Sequence, residues 1–223
     1  MYRLKLTASI VGLWARGDRQ GVINALHGVY NPPTEAMVFG TQKHKEWENE
    51  VNETGCLPAI FGGDKIVSPK TEQYYTREIN EWLKISGVLD LQYGKNGEVI
   101  VDYKTGGGKS SASQYASSLQ VGFYALLCPE AKMFKFLHYN RATDKITSAT
   151  IHLTPARREQ YLDEIMSIAC DIRSWHEDFE PDYDGWSVSS HKQVDNVPAQ
   201  EYNQEQRKEL NGTKNPQDEN QNA

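Results

Sequence analysis

Two runs rich in β-branched and aromatic residues flank Gly94-Lys95-Asn96-Gly97, and they leave that part of the chain little choice of structure. Such residues suit a pleated, half-buried surface, and Asn-Gly between apolar runs is the strongest short-range sign of a hairpin. Ile79, Trp82, Ile85, Val88 and Leu91 supply the first arm, and Val99, Ile100 and Val101 the second. In the second arm Asp102 and Lys104 are two apart, so they leave one face of the strand while Val101 and Tyr103 point the other way. The place of Asp90 depends on the turn. A two-residue Asn96-Gly97 loop sets Asp90 against Tyr103, with the aspartates on opposite faces. A three-residue loop, Lys95 to Gly97 with Gly97 left-handed, sets Gly94 against Glu98 and Asp90 against Asp102.

Two adjacent carboxylates repel one another unless a cation lies between them, and hard oxygen donors suit Mg²⁺ or Mn²⁺. Such an ion acidifies a bound water and draws charge from a phosphate oxygen. Lys104, on the same strand face, can orient that water or offset developing negative charge, and the Tyr103 carbonyl offers a further ligand. A solvated hairpin face can also carry Asp, Asp and Lys with no chemistry, and the spacing alone leaves both readings open.

Elsewhere, Pro32-Pro33-Thr34-Glu35 opens a helix that runs through Val51 until Gly55 stops it. Gly40, His44 and Glu48 share one face of it. Cys56 to Ile66 reads as loop and short strand. Gly106 to Ser111 is a flexible connection, and Ser113 to Cys128 has helical spacing, with Tyr115, Leu119, Phe123 and Leu126 on one stripe. Lys132 to His138 and Lys145 to Leu153 read as a second pair of strands. Thr154-Pro155 begins a long helix with Tyr161, Ile165, Ile168, Ile172 and Trp175 along its apolar side, ended by Pro181. Helices alternating with hairpins predict an α/β fold, a mixed central sheet flanked by helices.

The 223 residues, 38% hydrophobic, suffice for one core. A single catalytic domain over 1–190 is expected, followed by a polar, disordered tail over 191–223 that could recruit a protein partner. No stretch approaches the roughly 20 apolar residues of a membrane span, and the N-terminus has no long apolar run of a secretion signal. An intracellular, cytoplasmic protein is expected. Cys56, Cys128 and Cys170 form no Cys-x-x-Cys pair, so neither a disulfide framework nor a cysteine metal site is implied. A net charge of -6 argues against binding nucleic acid through bulk charge alone.

Gly87-Val88-Leu89-Asp90, then Val101-Asp102-Tyr103-Lys104-Thr105-Gly106, then Gln120-Val121-Gly122-Phe123-Tyr124 resemble, in order and spacing, the motifs of the RecB-like branch of the PD-(D/E)XK nucleases. Gly40-Thr41-Gln42-Lys43-His44 is similar to that branch's first motif. The resemblance implies a restriction-endonuclease-like fold and DNA cleavage with one or two divalent ions. It makes His44, Asp90 and Asp102 metal ligands and Lys104 the catalytic lysine. Gln120 and Tyr124, one helical turn apart, would position the lysine and the DNA. Many relatives carry four cysteines for an iron-sulfur cluster; this chain lacks them, so no cluster is expected, and the Thr154–Asp178 helix with Tyr183 and Trp186 would close the fold instead. The resemblance thus predicts an exonuclease acting on single-stranded or duplex DNA ends, and it leaves DNA repair, recombination and mobile-element processing as alternative settings. A structure-specific endonuclease and a non-catalytic binding module are the alternatives.

Overall fold

The structure is a computed structural model that describes residues 2–188; the polar segment 191–223 lies outside them. The chain runs β1 (Leu4–Leu6), α1 (Ala8–Ala15), α2 (Arg19–Leu26), α3 (Glu35–Thr54), β2 (Lys70–Glu78), β3 (Leu83–Tyr93), β4 (Val99–Gly106), α4 (Leu119–Leu127), β5 (Met133–Asn140), β6 (Lys145–His152) and α5 (Pro155–Glu177). The helix starts follow from side-chain capping: Thr7, Asp18, Thr34 and Thr154 each accept a backbone N–H of the first turn. Gly55, left-handed at φ 68°, ends α3.

Six strands form one mixed sheet. β2 and β4 pair antiparallel with β3, β1 runs parallel to β3, β5 parallel to β4, and β6 antiparallel to β5. β2 follows one edge of β3 from Lys84 to Gln92. The other edge is shared, by β1 at Leu83–Ile85 and by β4 at Leu91–Tyr93. Between them β3 has no strand neighbour on that edge, and α4 packs against it there. A Cβ on Gly87 would sit 2.9 Å from the Tyr124 ring.

The β3–β4 register pairs Leu91 with Val101 and Tyr93 with Val99, as the three-residue loop requires, and Gly97 is left-handed at φ 76°. Helices cover both faces. On one, Trp47 and Val51 of α3 pack with Leu91, Val99, Val101 and Tyr103. On the other, Val121 and Phe123 of α4 and Ile165, Ala169 and Ile172 of α5 pack with Leu89, Ile100, Phe134 and Phe136. These two layers bury the apolar residues of both sheet faces and make a mixed α/β fold of the restriction-endonuclease-like kind.

Three stretches differ from the sequence reading. The helix expected from Ser113 starts only at Leu119, because Ala112–Gln114 form a short 3-10 turn and Ser118 takes an extended conformation at the cap. Serine competes with its own backbone for hydrogen bonds and favours such breaks. β1, α1, α2 and β2 are additional to the elements read from sequence, and Ile79 and Trp82, expected in the first hairpin arm, lie instead in the turn between β2 and β3. No described helix is long and apolar enough to cross a membrane.

Candidate active site

β3 and β4 separate just beyond Leu91 and Val101, and the next residues in register are Asp90 and Asp102. The Asp90 carboxylate fills the gap: its Oδ2 accepts the Tyr103 backbone N–H at 2.7 Å. β3 also inverts here. Leu83, Ile85 and Leu89 point into the larger core cluster, whereas Leu91 points into the smaller one. Residues two apart in a regular strand share a face, so the alternation breaks at Asp90. On β2, Thr71 faces Leu91 and Gln73 faces Leu89, which leaves Glu72 opposite Asp90 with a positive φ of 49°. That conformation is uncommon for glutamate. Glu72, Asp90 and Asp102 therefore lie side by side in register across three neighbouring strands.

The flanking helices supply the rest. His44 of α3 holds Nδ1 3.4 Å from Asp90 Oδ2, and its ring lies beside Trp47 and Tyr103. Burial pulls the His44 pKa down, but the contact with Asp90 and the charges of Asp90 and Asp102 outweigh it and raise it overall. From α4, Gln120 Nε2 donates to Asp102 Oδ1 at 2.7 Å and to Tyr124 Oη at 3.2 Å. Tyr124 is buried and stacks on Phe134. Gln120 thus reaches Asp102 directly, where the motif resemblance assigns the pair to the lysine and the DNA.

Asp102 is 3% exposed. Its Oδ2 forms an ion pair with the Lys104 ammonium 2.5 Å away. Burial raises the Asp102 pKa, Lys104 opposes this, and Asp90 adds to it. The ammonium also sits 5.7 and 5.8 Å from the Tyr115 and Phe136 rings. The Tyr103 ring packs against Trp47 and Phe61, which holds the backbone at that residue. Beside His44 an open cleft of about 440 Å³ is lined by Ala36, Met37, Gly40, Thr41 and Thr105.

The sequence profile of the PD-(D/E)XK nuclease superfamily matches residues 12–217. The chain belongs to this superfamily. Similar solved structures include SSO0001, with TM-score 0.48, 15% identity and coverage of 75% of this chain and 78% of that one. Others are an alkaline exonuclease (LHK-Exo) from Laribacter hongkongensis, with TM-score 0.47, 14% identity and coverage of 79% and 92%, and a phage related exonuclease from Haemophilus somnus 129PT, with TM-score 0.47, 13% identity and coverage of 79% and 95%. A search of curated proteins gives no significant match.

Nucleases of the PD-(D/E)XK superfamily typically use divalent metals. The donor set here fits one: the Asp90 and Asp102 carboxylates lie side by side with the His44 imidazole against Asp90, and the buried Asp102 Oδ2 already faces a cation, the Lys104 ammonium. Glu72 was absent from the residues picked out by sequence. Although the residue is exposed overall, desolvation of its carboxyl beside the site, then the charges of Asp90 and Glu48, push its pKa up to about 7. Its only signal was register, since its segment lacks an apolar pattern. Glu48, on the face of His44, forms an ion pair with Lys45 at 2.7 Å.

Proposed function

We propose that the protein is a divalent-metal-dependent DNA exonuclease of the RecB-like branch. The observation that carries this reading is the arrangement around Asp102, where Gln120 occupies one oxygen and the other faces the Lys104 ammonium beside Asp90. Asp90, Asp102 and the Tyr103 carbonyl, with His44, would hold Mg²⁺ or Mn²⁺. Bound there, the ion would supply charge against a phosphate oxygen and lower the pKa of a coordinated water.

The chain's own groups do the rest. Gln120 fixes the rotation of Asp102, so that Oδ2 is the oxygen turned to a cation. Lys104 offers a point charge beside the scissile phosphate and orients the attacking water. The water oxygen adds to phosphorus, the bond to one sugar oxygen breaks, and the proton passes to that leaving oxygen. Action on free ends rests on Gln120-x-x-x-Tyr124, the mark of the RecB-like branch.

The test is purified protein with Mg²⁺ or Mn²⁺ on end-labelled single-stranded, duplex and circular DNA, with a chelator control. Metal-dependent loss of linear DNA with circles left intact is expected. Cleavage of circles makes the protein an endonuclease. Asp102→Ala should abolish activity, and Lys104→Ala should lower the rate by at least tenfold while metal binding persists. Activity that survives Asp102→Ala moves the catalytic site elsewhere, and no activity on any substrate leaves a binding module.

A further inference from the structure

The ends of α2 and α5 meet in a second cluster of ligating groups, and neither the carboxylate row nor the proposed function uses it. His27 caps the C-terminus of α2. His176 lies in the last turn of α5, and Glu180 follows four residues on. Their three donor atoms all lie within 4.8 Å of one another. His27 Nε2 is 3.0 Å from Glu180 Oε1, and His176 Nε2 is 3.9 Å from the same oxygen.

We propose that His27, His176 and Glu180 form a site for a zinc-class divalent ion that fastens the end of α2 to the end of α5. Two imidazoles and one carboxylate suit Zn²⁺ better than Mg²⁺, which prefers oxygen donors and retained waters. Zn²⁺ bonds of about 2.0–2.2 Å at tetrahedral angles place neighbouring donors roughly 3.3–3.6 Å apart, and the two separations here lie on either side of that range. The longer one is beyond hydrogen-bond reach. His176 is 1% exposed, so little solvent reaches its Nε2, and a shared ion is the partner that spans the gap.

The surroundings match those of a structural metal ligand. His176 Nδ1 lies 2.9 Å from the buried Tyr2 hydroxyl. With Nδ1–H donated to that oxygen, the Nε2 lone pair is left facing Glu180 and His27, the outer contact that typically orients a ligating imidazole. The Tyr183 ring lies 4.9 Å from His176 and 5.5 Å from His27. Tyr183 Oη donates to the Leu26 carbonyl at 2.7 Å and holds the end of α2 in place. Three protein ligands leave a fourth position to water.

The test uses the full chain stripped of metal, in excess Mg²⁺, and compares wild type with His27→Ala, Glu180→Gln and Asp90→Ala. His27 and Glu180 are each partly exposed, so these changes spare the core, and circular dichroism verifies folding. Zn²⁺ titrated against a chromophoric chelator should show one equivalent in wild type and Asp90→Ala that binds at least tenfold more weakly in the other two. Co²⁺ should give the intense visible bands of a tetrahedral site in the same pair of proteins, and Zn²⁺ should raise their Tm alone. Equal stoichiometry, bands and Tm shifts in all four proteins, or no Zn²⁺ bound outside the carboxylate row, would overturn the proposal and leave a His27–Glu180 ion pair.

Discussion

Glu72 has the opposite linkage to a carboxylate held by a cation. Its pKa in the folded chain, about 7, lies above the ordinary 4.5 because desolvation beside the site and the charges of Asp90 and Glu48 disfavour ionisation of this otherwise exposed residue. The folded chain therefore binds this proton more tightly than the unfolded one, and its contribution to stability is lost as pH rises from 4.5 to 7. Glu72→Gln removes that loss. In chelator, the two proteins should have the same urea midpoint near pH 4, and the Gln variant should gain on wild type up to pH 7 and then hold its lead. A gap that is the same at pH 4 and pH 8 would show that Glu72 feels no such crowding. Asp90, Asp102, Lys104 and Gln120 were legible as candidates because each sits in a motif of fixed spacing. Glu72 was not, because what places it near Asp90 is pairing between β2 and β3, and residues 70–78 alternate too little to reveal that pairing.

Among the elements, α4 ties the sheet to the site. Gly87 lies on the stretch of β3 where one edge has no strand partner, and a Cβ there would meet Tyr124 Cε1 at 2.9 Å and Leu127 Cδ1 at 3.3 Å. Tyr124 cannot retreat freely, since its ring stacks on Phe134 and its hydroxyl meets Gln120. Gly87→Ala should therefore cost about 1–3 kcal/mol by overpacking, and it should lower nuclease activity by displacing Gln120 from Asp102. The measurements are a urea midpoint and a rate at saturating metal, and an unchanged midpoint would mean that α4 moves away at no cost. The hairpin itself, α3 and α5 were readable because turn chemistry and capping residues are local, whereas the sequence left a two-residue and a three-residue turn open and the strand pairing decides for the latter. β1, α1 and α2 were not. β1 has three residues, α1 and α2 have eight each, and elements this short depend on distant partners: β1 on Leu83–Ile85, α1 and α2 on the shared core.

At the scale of the whole molecule, the two ends of the described chain close on each other. Arg3 pairs with Asp184, and Trp186 Nε1 donates to the Leu4 carbonyl at 3.1 Å. Tyr183, 7% exposed, reaches across 157 positions of sequence to the Leu26 carbonyl. Sequence alone marked Tyr183 and Trp186 as closing residues, but their partners on β1 and α2 are contacts that only the fold creates. Two substitutions separate the parts of this closure. Tyr183→Phe keeps the ring between Tyr2 and the two histidines and removes one buried hydrogen bond, leaving the Leu26 carbonyl unpaired at a cost of about 1–3 kcal/mol. Tyr183→Ala also empties a core position, and large aromatic-to-alanine changes cost about 3–5 kcal/mol. Urea unfolding in chelator should rank wild type, Phe and Ala in that order with a constant m-value. If the Phe variant matches wild type, the hydrogen bond is offset by water and ring packing alone closes the fold; if Phe and Ala fall together, the hydrogen bond dominates.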